Sequence, residues 1–220
     1  MIVCSANELA ALARRGARGA GLAWGLAEEV GRAAHWLALH RLPGIGLLAR
    51  QLRRIDGVAY DALLPVMEET HWSAREGALC PLVTGSALGD CARGLAPGQR
   101  ITLTAVDSPL LLAAFLGRAA RAAGQSFELR WLGATLRCDP GGLRIDTAEP
   151  AALAAEQAAE VAFRVLQGEG DGPVVAPQPG GIEVAPDDWT VLKALAARTY
   201  VPATEESRLR GAGAGLKDDD

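Results

Sequence analysis

The sequence predicts an α+β protein: an N-terminal helical layer packed on a small mixed sheet that holds one parallel β-α-β crossover and one hairpin. Three observations predict it. Residues 1–56 carry apolar side chains at three- and four-residue spacing, interrupted by glycine and proline. Residues 78–167 bring β-branched, alternating runs to either side of a helical stretch. Within them, "ATLRCD", "PGG" and "LRIDT" read as two strands around a glycine turn. At 220 residues, half of them hydrophobic, the chain can bury a substantial core and is read as a single domain over 1–220.

The first helix opens at Ser5, which with Glu8 forms a capping box, and carries Leu9, Leu12 and Ala13 on one face until "RRGARGAG" ends it. A second runs from about Trp24 to His40, with Ala27, Val30, Ala34 and Leu37 repeating at helical spacing until Pro43 and Gly44 break it. A third covers about Leu47 to Ile55. "ALCPLVTGSALGD" reads as a short buried strand entering a glycine turn, and "QRITLTAV" as a strand. "DSPLLLAAFLGRAARAAG" then reads as a helix capped by Asp107 or Ser108, with Pro109 in its first turn and Gly124 closing it. "FELRWLG" is the next strand, and this passage predicts a right-handed parallel crossover. The hairpin follows, then an alanine-rich helix over about Pro150 to Leu166. Residues 168–186 read as a Gly/Pro-rich surface loop. Residues 187–220 give a final helix, about Asp187 to Thr199, capped by Asp187 or Asp188, and a glycine-rich C-terminal segment.

The balance of charge points away from several function classes. A formal net charge of −4 argues against nucleic acid as a partner, because phosphate-backbone binders present a basic face. The runs Arg14, Arg15, Arg18 and Arg50, Arg53, Arg54 read as solvated helix faces. No apolar run approaches the roughly 18 residues that span a bilayer, and the N-terminal order of charged and apolar residues does not fit a secretion signal. A soluble, cytoplasmic protein without a membrane partner is expected. Cys4, Cys80, Cys91 and Cys138 are scattered, without zinc or redox spacing, and read as reduced, mostly buried thiols. His35, His40 and His71 do not stand at metal-pair spacing, so no metal site is assigned. The chain carries no nucleophile elbow, P-loop or dinucleotide fingerprint, so its motifs identify no cofactor or catalytic residue.

Four places could bind a ligand. Asp107 and Ser108 stand where a strand meets a helix, the junction at which α/β sheets gather ligands; an ordinary helix cap explains the same residues. "VTGSALGD" has the glycines of an anion-binding turn but lacks the lysine of a phosphate loop. Trp24, Glu28, Arg32 and His35 share one side of the second helix, and Glu28–Arg32 stand at ion-pair spacing. Finally, "YVPATEESRLRGAGAGLKDDD" sets Thr204, Glu205, Glu206, Ser207, Arg208 and Arg210 directly before Gly211, Gly213 and Gly215. Arg208 could hold a carboxylate or phosphate through two hydrogen bonds, and the glycines permit backbone amides to turn on an anion. A featureless terminus fits the same composition.

"GLAWGLAEEVGRAAHWLA" and "YVPATEESRLRGAGAG" resemble the two signature regions of an uncharacterised bacterial family, a domain of unknown function, along essentially the whole chain. The resemblance implies that the C-terminal string belongs to the fold; it implies no substrate, cofactor or catalytic residue. The expected function is binding of, or action on, a small anionic metabolite. Thr204, Glu205, Ser207, Arg208, Gly211 and Gly213 would hold it, with Asp107, Ser108 and Glu28 contributing. The alternative is a non-catalytic subunit of a multiprotein assembly, or a homo-oligomer, that docks through its C-terminal segment.

Overall fold

The computed structural model of the chain describes residues 1–147 and 149–200. Strand β1 (Ile2–Cys4) feeds helix α1 (Ala6–Gly19) through the expected capping box. Ser5 Oγ accepts from the Glu8 amide at 3.1 Å, and the Glu8 carboxylate accepts from the Ser5 amide at 2.8 Å. Helices α2 (Trp24–Leu39), α3 (Gly44–Ile55) and the single turn α4 (Tyr60–Leu63) follow. Next come β2 (Val66–Met67), β3 (His71–Ser73), α5 (Pro81–Cys91) and β4 (Arg100–Asp107). Helix α6 (Leu110–Ala123) leads to β5 (Ser126–Trp131), β6 (Ala134–Asp139) and β7 (Gly142–Thr147). After a 3-10 turn at Pro150–Ala154 the chain forms β8 (Gln157–Leu166), β9 (Ile182–Val184) and α7 (Pro186–Ala197).

The large sheet runs β2-β3-β4-β8-β5-β6-β7, and β3–β4 is its parallel pair. Helix α6 packs on β5 and β6 with α5 beside it; α2 contacts both, α3 contacts α2 and α6, and α1 and α7 form the outer pair. The core is therefore sandwiched between sheet and helices. Phe127, Leu129 and Leu136 from the strands meet Leu112, Phe115 and Leu116 of α6 there, all buried. A two-stranded ribbon pairs β1 with β9 antiparallel, joining the two strands that precede α1 and α7. The α+β class, the helical layer and the β6–β7 hairpin agree with the sequence. Among the described residues no helix is long and apolar enough to cross a membrane.

Four local expectations are corrected. The alanine-rich stretch expected as a helix over 150–166 is a short 3-10 turn followed by the central strand β8, hydrogen-bonded to β4 and β5 on its two sides. Val161, Phe163 and Val165 alternate into the core, and ladder bonding on both edges overrides the helical preference of alanine, which is the strongest of any residue but small per position. That same strand is antiparallel to both β4 and β5 and lies between them, so the expected parallel crossover through α6 forms with one strand inserted, and a second crossover, through α5, joins the adjacent parallel strands β3 and β4. "PLVTGSALGDC" is helix α5, with Pro81 in its first turn. Gly85 serves helix packing there: a Cβ would stand 2.7 Å from Phe115 Cδ2 of α6. Neither α6 nor α7 takes a side-chain cap, so Asp107, Ser108, Asp187 and Asp188 cap nothing, while Gly124 closes α6 in the left-handed conformation (φ 66°) as expected. The Gly/Pro-rich stretch also contains β9, whose three residues are too few for a periodicity to register.

Candidate functional site

Helices α1, α2 and α6 leave a groove of about 740 Å³ between them, lined also by Pro177. Gly31 sets its depth. A Cβ there would lie 2.9 Å from the Ala10 carbonyl and 3.0 Å from Arg14 Cβ, so α1 and α2 approach closely and the Arg14 stem lies over Gly31. Gly117 does the same for α6, because a Cβ would stand 2.8 Å from Trp36 Cζ2. The Trp36 indole therefore rests on bare helix backbone, with the His40 ring 4.2 Å away on its own helix. The loop beyond β8 is fastened to the end of α2 by the Gln178 amide donating to Leu39 O at 2.7 Å.

Two kinds of surface meet in this groove. Ala10, Ala11, Leu39, Trp36 and Pro177 supply an apolar wall, and Arg14, Arg32, Arg118, Arg121, Glu28 and His35 supply polar groups. Arg32 and Arg118 are already engaged by the Glu29 carboxylate, and Arg32 Nη1 also stands 3.6 Å from Glu28. Burial opposes ionisation of Glu29, yet the two guanidinium groups hold its carboxyl below the ordinary value. Arg14 and Arg121 have no carboxylate partner among the described residues. The Trp36 indole N–H also lacks an acceptor there, whereas Trp72 donates to Glu68 O at 3.1 Å and Trp131 to Ala152 O at 3.0 Å. Burial lowers the His40 pKa; its Nδ1 contact with Trp36 O at 2.8 Å opposes that shift and nearby Arg121 adds to it. Among the described residues the groove thus offers two arginines without a carboxylate partner and an unused indole donor beside an apolar wall.

The sequence-predicted residues separate into three groups. Glu28, Arg32 and His35 share the groove, and the Glu28–Arg32 pair forms; Trp24 stands apart, with the Arg18 guanidinium 5.4 Å over its ring. Asp107 and Ser108 lie at the end of β4, away from the groove. The Asp107 Oδ1 accepts from Arg54 Nη1 at 2.5 Å and from Gln157 Nε2 at 3.0 Å, which ties α3 to β4 and β8. Ser108 is buried at φ 41°, and its amide donates to Glu156 O. Thr204, Glu205, Ser207, Arg208, Gly211 and Gly213 lie outside the described residues. The last described residue, Tyr200, sits with its ring under Arg15 of α1 at 5.7 Å, beside a second hollow that shares Ala11 with the groove.

Sequence reasoning missed Arg118, Arg121 and Trp36. The i, i+3 spacing of the two arginines was visible, but Gly117 beside them, against which Trp36 packs, shows its purpose only once α2 crosses α6. Among the described residues no group of three or more His, Cys, Asp or Glu side chains could hold a metal ion. Cys4, Cys80 and Cys138 are buried and Cys91 is partly so, and full burial pushes the Cys138 thiol up to about 12, far from a reactive thiolate.

Residues 4–78 match the model of a family described as a protein of unknown function (DUF3726). The resemblance to a domain of unknown function therefore holds over β1 to the segment after β3, including "GLAWGLAEE" and two of the groove's three helices. The C-terminal motif lies beyond the match. No curated protein matches the chain.

Proposed function

We propose that the chain binds a small organic anion with an apolar, ring-like body in the groove between α1, α2 and α6. Arg14 and Arg121 take its carboxylate or phosphate, and Trp36, Leu39 and Pro177 contact its body. The observation that carries this reading is the pairing, among the described residues, of two arginines lacking carboxylate partners with an indole N–H lacking an acceptor, in one concave site with an apolar wall. Charge-assisted hydrogen bonds from guanidinium are the strong kind and suit a planar or tetrahedral anion. The test is calorimetric titration with aromatic carboxylates and mononucleotides. Saturable binding that weakens about tenfold or more in Arg121→Gln and in Trp36→Ala supports the reading. Failure of every such compound to bind, or equal binding by the variants, ends it.

A second reading, a non-catalytic subunit of a larger assembly, is favoured by the β2 edge of the sheet. Val66 and Met67, at least 40 % exposed, form that strand with one free edge, and Val58 and Tyr60 shortly before it in the chain are exposed as well. Concentration-dependent self-association or co-purification abolished by Met67→Lys supports it; a monomer at every concentration, alone and from cell extract, does not.

A further inference from the structure

We propose that the face of the large sheet left open among the described residues is a separate binding site, for a ligand bearing more than one phosphate, built on Arg100, Arg164 and Arg130. The helices cover one face of the sheet, and on the other β4, β8 and β5 floor a depression of about 910 Å³. Arg100 and Arg164 stand directly opposite each other in the β4–β8 ladder, both exposed. Like charges in that position repel and cost stability. The neighbouring carboxylate that would relieve them, Glu128 on β5 opposite Arg164, is turned to Arg137 at 2.9 Å. Arg130 stands one row further along β5, opposite Ala162, and completes the trio. Among the described residues none of Arg100, Arg130 and Arg164 forms an ion pair. Ala162 lies between Thr102 and Arg130, so its methyl group leaves open space where a larger side chain would fill it.

Opposed residues in such a ladder stand about 5 Å apart and diagonal ones about 7–8 Å. Three guanidinium groups at that spread suit two or three linked phosphates better than one compact anion, each fork taking a pair of oxygens. Glu160, exposed at the far end of the depression, repels further negative charge and limits the length of the anionic chain. The face does not suit single-stranded nucleic acid, which needs aromatic platforms: Phe127, Trp131 and Phe163 of these strands are all buried.

The probe is inorganic tripolyphosphate, titrated by calorimetry at fixed ionic strength. The intact protein binds it saturably, Arg100→Gln and Arg164→Gln each weaken binding about tenfold or more, and Arg53→Gln, an equal loss of charge on α3, leaves it unchanged. Without ligand, Arg164→Gln melts at or above the temperature of the parent, because a repulsion has been removed. The proposal fails if orthophosphate at matched ionic strength reproduces the whole effect. It fails equally if the Arg53 variant loses as much affinity as the other two, or if Arg100→Gln and Arg164→Gln both lower the ligand-free melting temperature.

Discussion

At Asp107 a carboxylate whose side chain is 5 % exposed meets a guanidinium that is 58 % exposed. Removing Arg54 strands that carboxylate with Gln157 alone, whereas Arg54 itself has solvent to return to. Arg54→Ala is therefore expected to cost about 1–3 kcal/mol in urea unfolding, less than the loss of a wholly buried partner, because water screens the exposed member. His40 gives a pH dependence. Its folded pKa lies below the unfolded value of about 6.5, so the unfolded chain binds more protons as pH falls through that value. Stability is full at neutral pH and declines from about pH 6.5 down to the lowered folded pKa. His40→Gln should flatten the fall in melting temperature across that window; an unchanged slope would assign it elsewhere. Gly19 answers to sterics alone. A Cβ there would overlap the Leu195 carbonyl of α7, and backbone cannot swing aside, so Gly19→Ala should lose about 1–3 kcal/mol and loosen the α1–α7 contact.

Strand β8 organises the sheet, because both its edges carry ladder bonds to β4 and β5. Proline at Ala162 would remove an inner donor and should prevent soluble folding, whereas Ala162→Thr, a better strand former on the exposed face, should be tolerated. Soluble Ala162→Pro protein, or insoluble Ala162→Thr protein, would contradict this placement of β8. Alanine concealed this strand in the sequence: seven of residues 150–162 are alanine, and a small side chain fits the packed side of a helix or of a strand. Helix α5 was hidden by its glycines, which resemble turn residues until Phe115 is seen against Gly85. Helices α1, α2 and α6 were legible because their apolar spacing is long and their breaks are strong.

At the scale of the molecule, the first strand and the ninth close the chain on itself. β1 and β9 each precede a helix of the outer pair, so their ribbon splices the first residues to the last described helix. Deleting residues 1–4 should lower the melting temperature by roughly 3–6 °C and raise hydrogen exchange first in α1 and α7, leaving β4, β8 and β5 protected. Uniform loss of protection across both layers would contradict that division. By itself the sequence determined the helical layer, the capping box, the hairpin and the mixture of helix and strand, because each follows from spacing or turn chemistry within a few residues. It also placed Glu28, Arg32 and His35 on one side of α2. Which strand lies between which, and which arginines keep a partner, depends on contacts between residues far apart in the chain. Glu29 meets Arg118 across 89 positions, and Asp107 meets Gln157 across 50. Local periodicity carries no information about such pairings, so the groove and the arginine face of the sheet were decided by the tertiary structure alone.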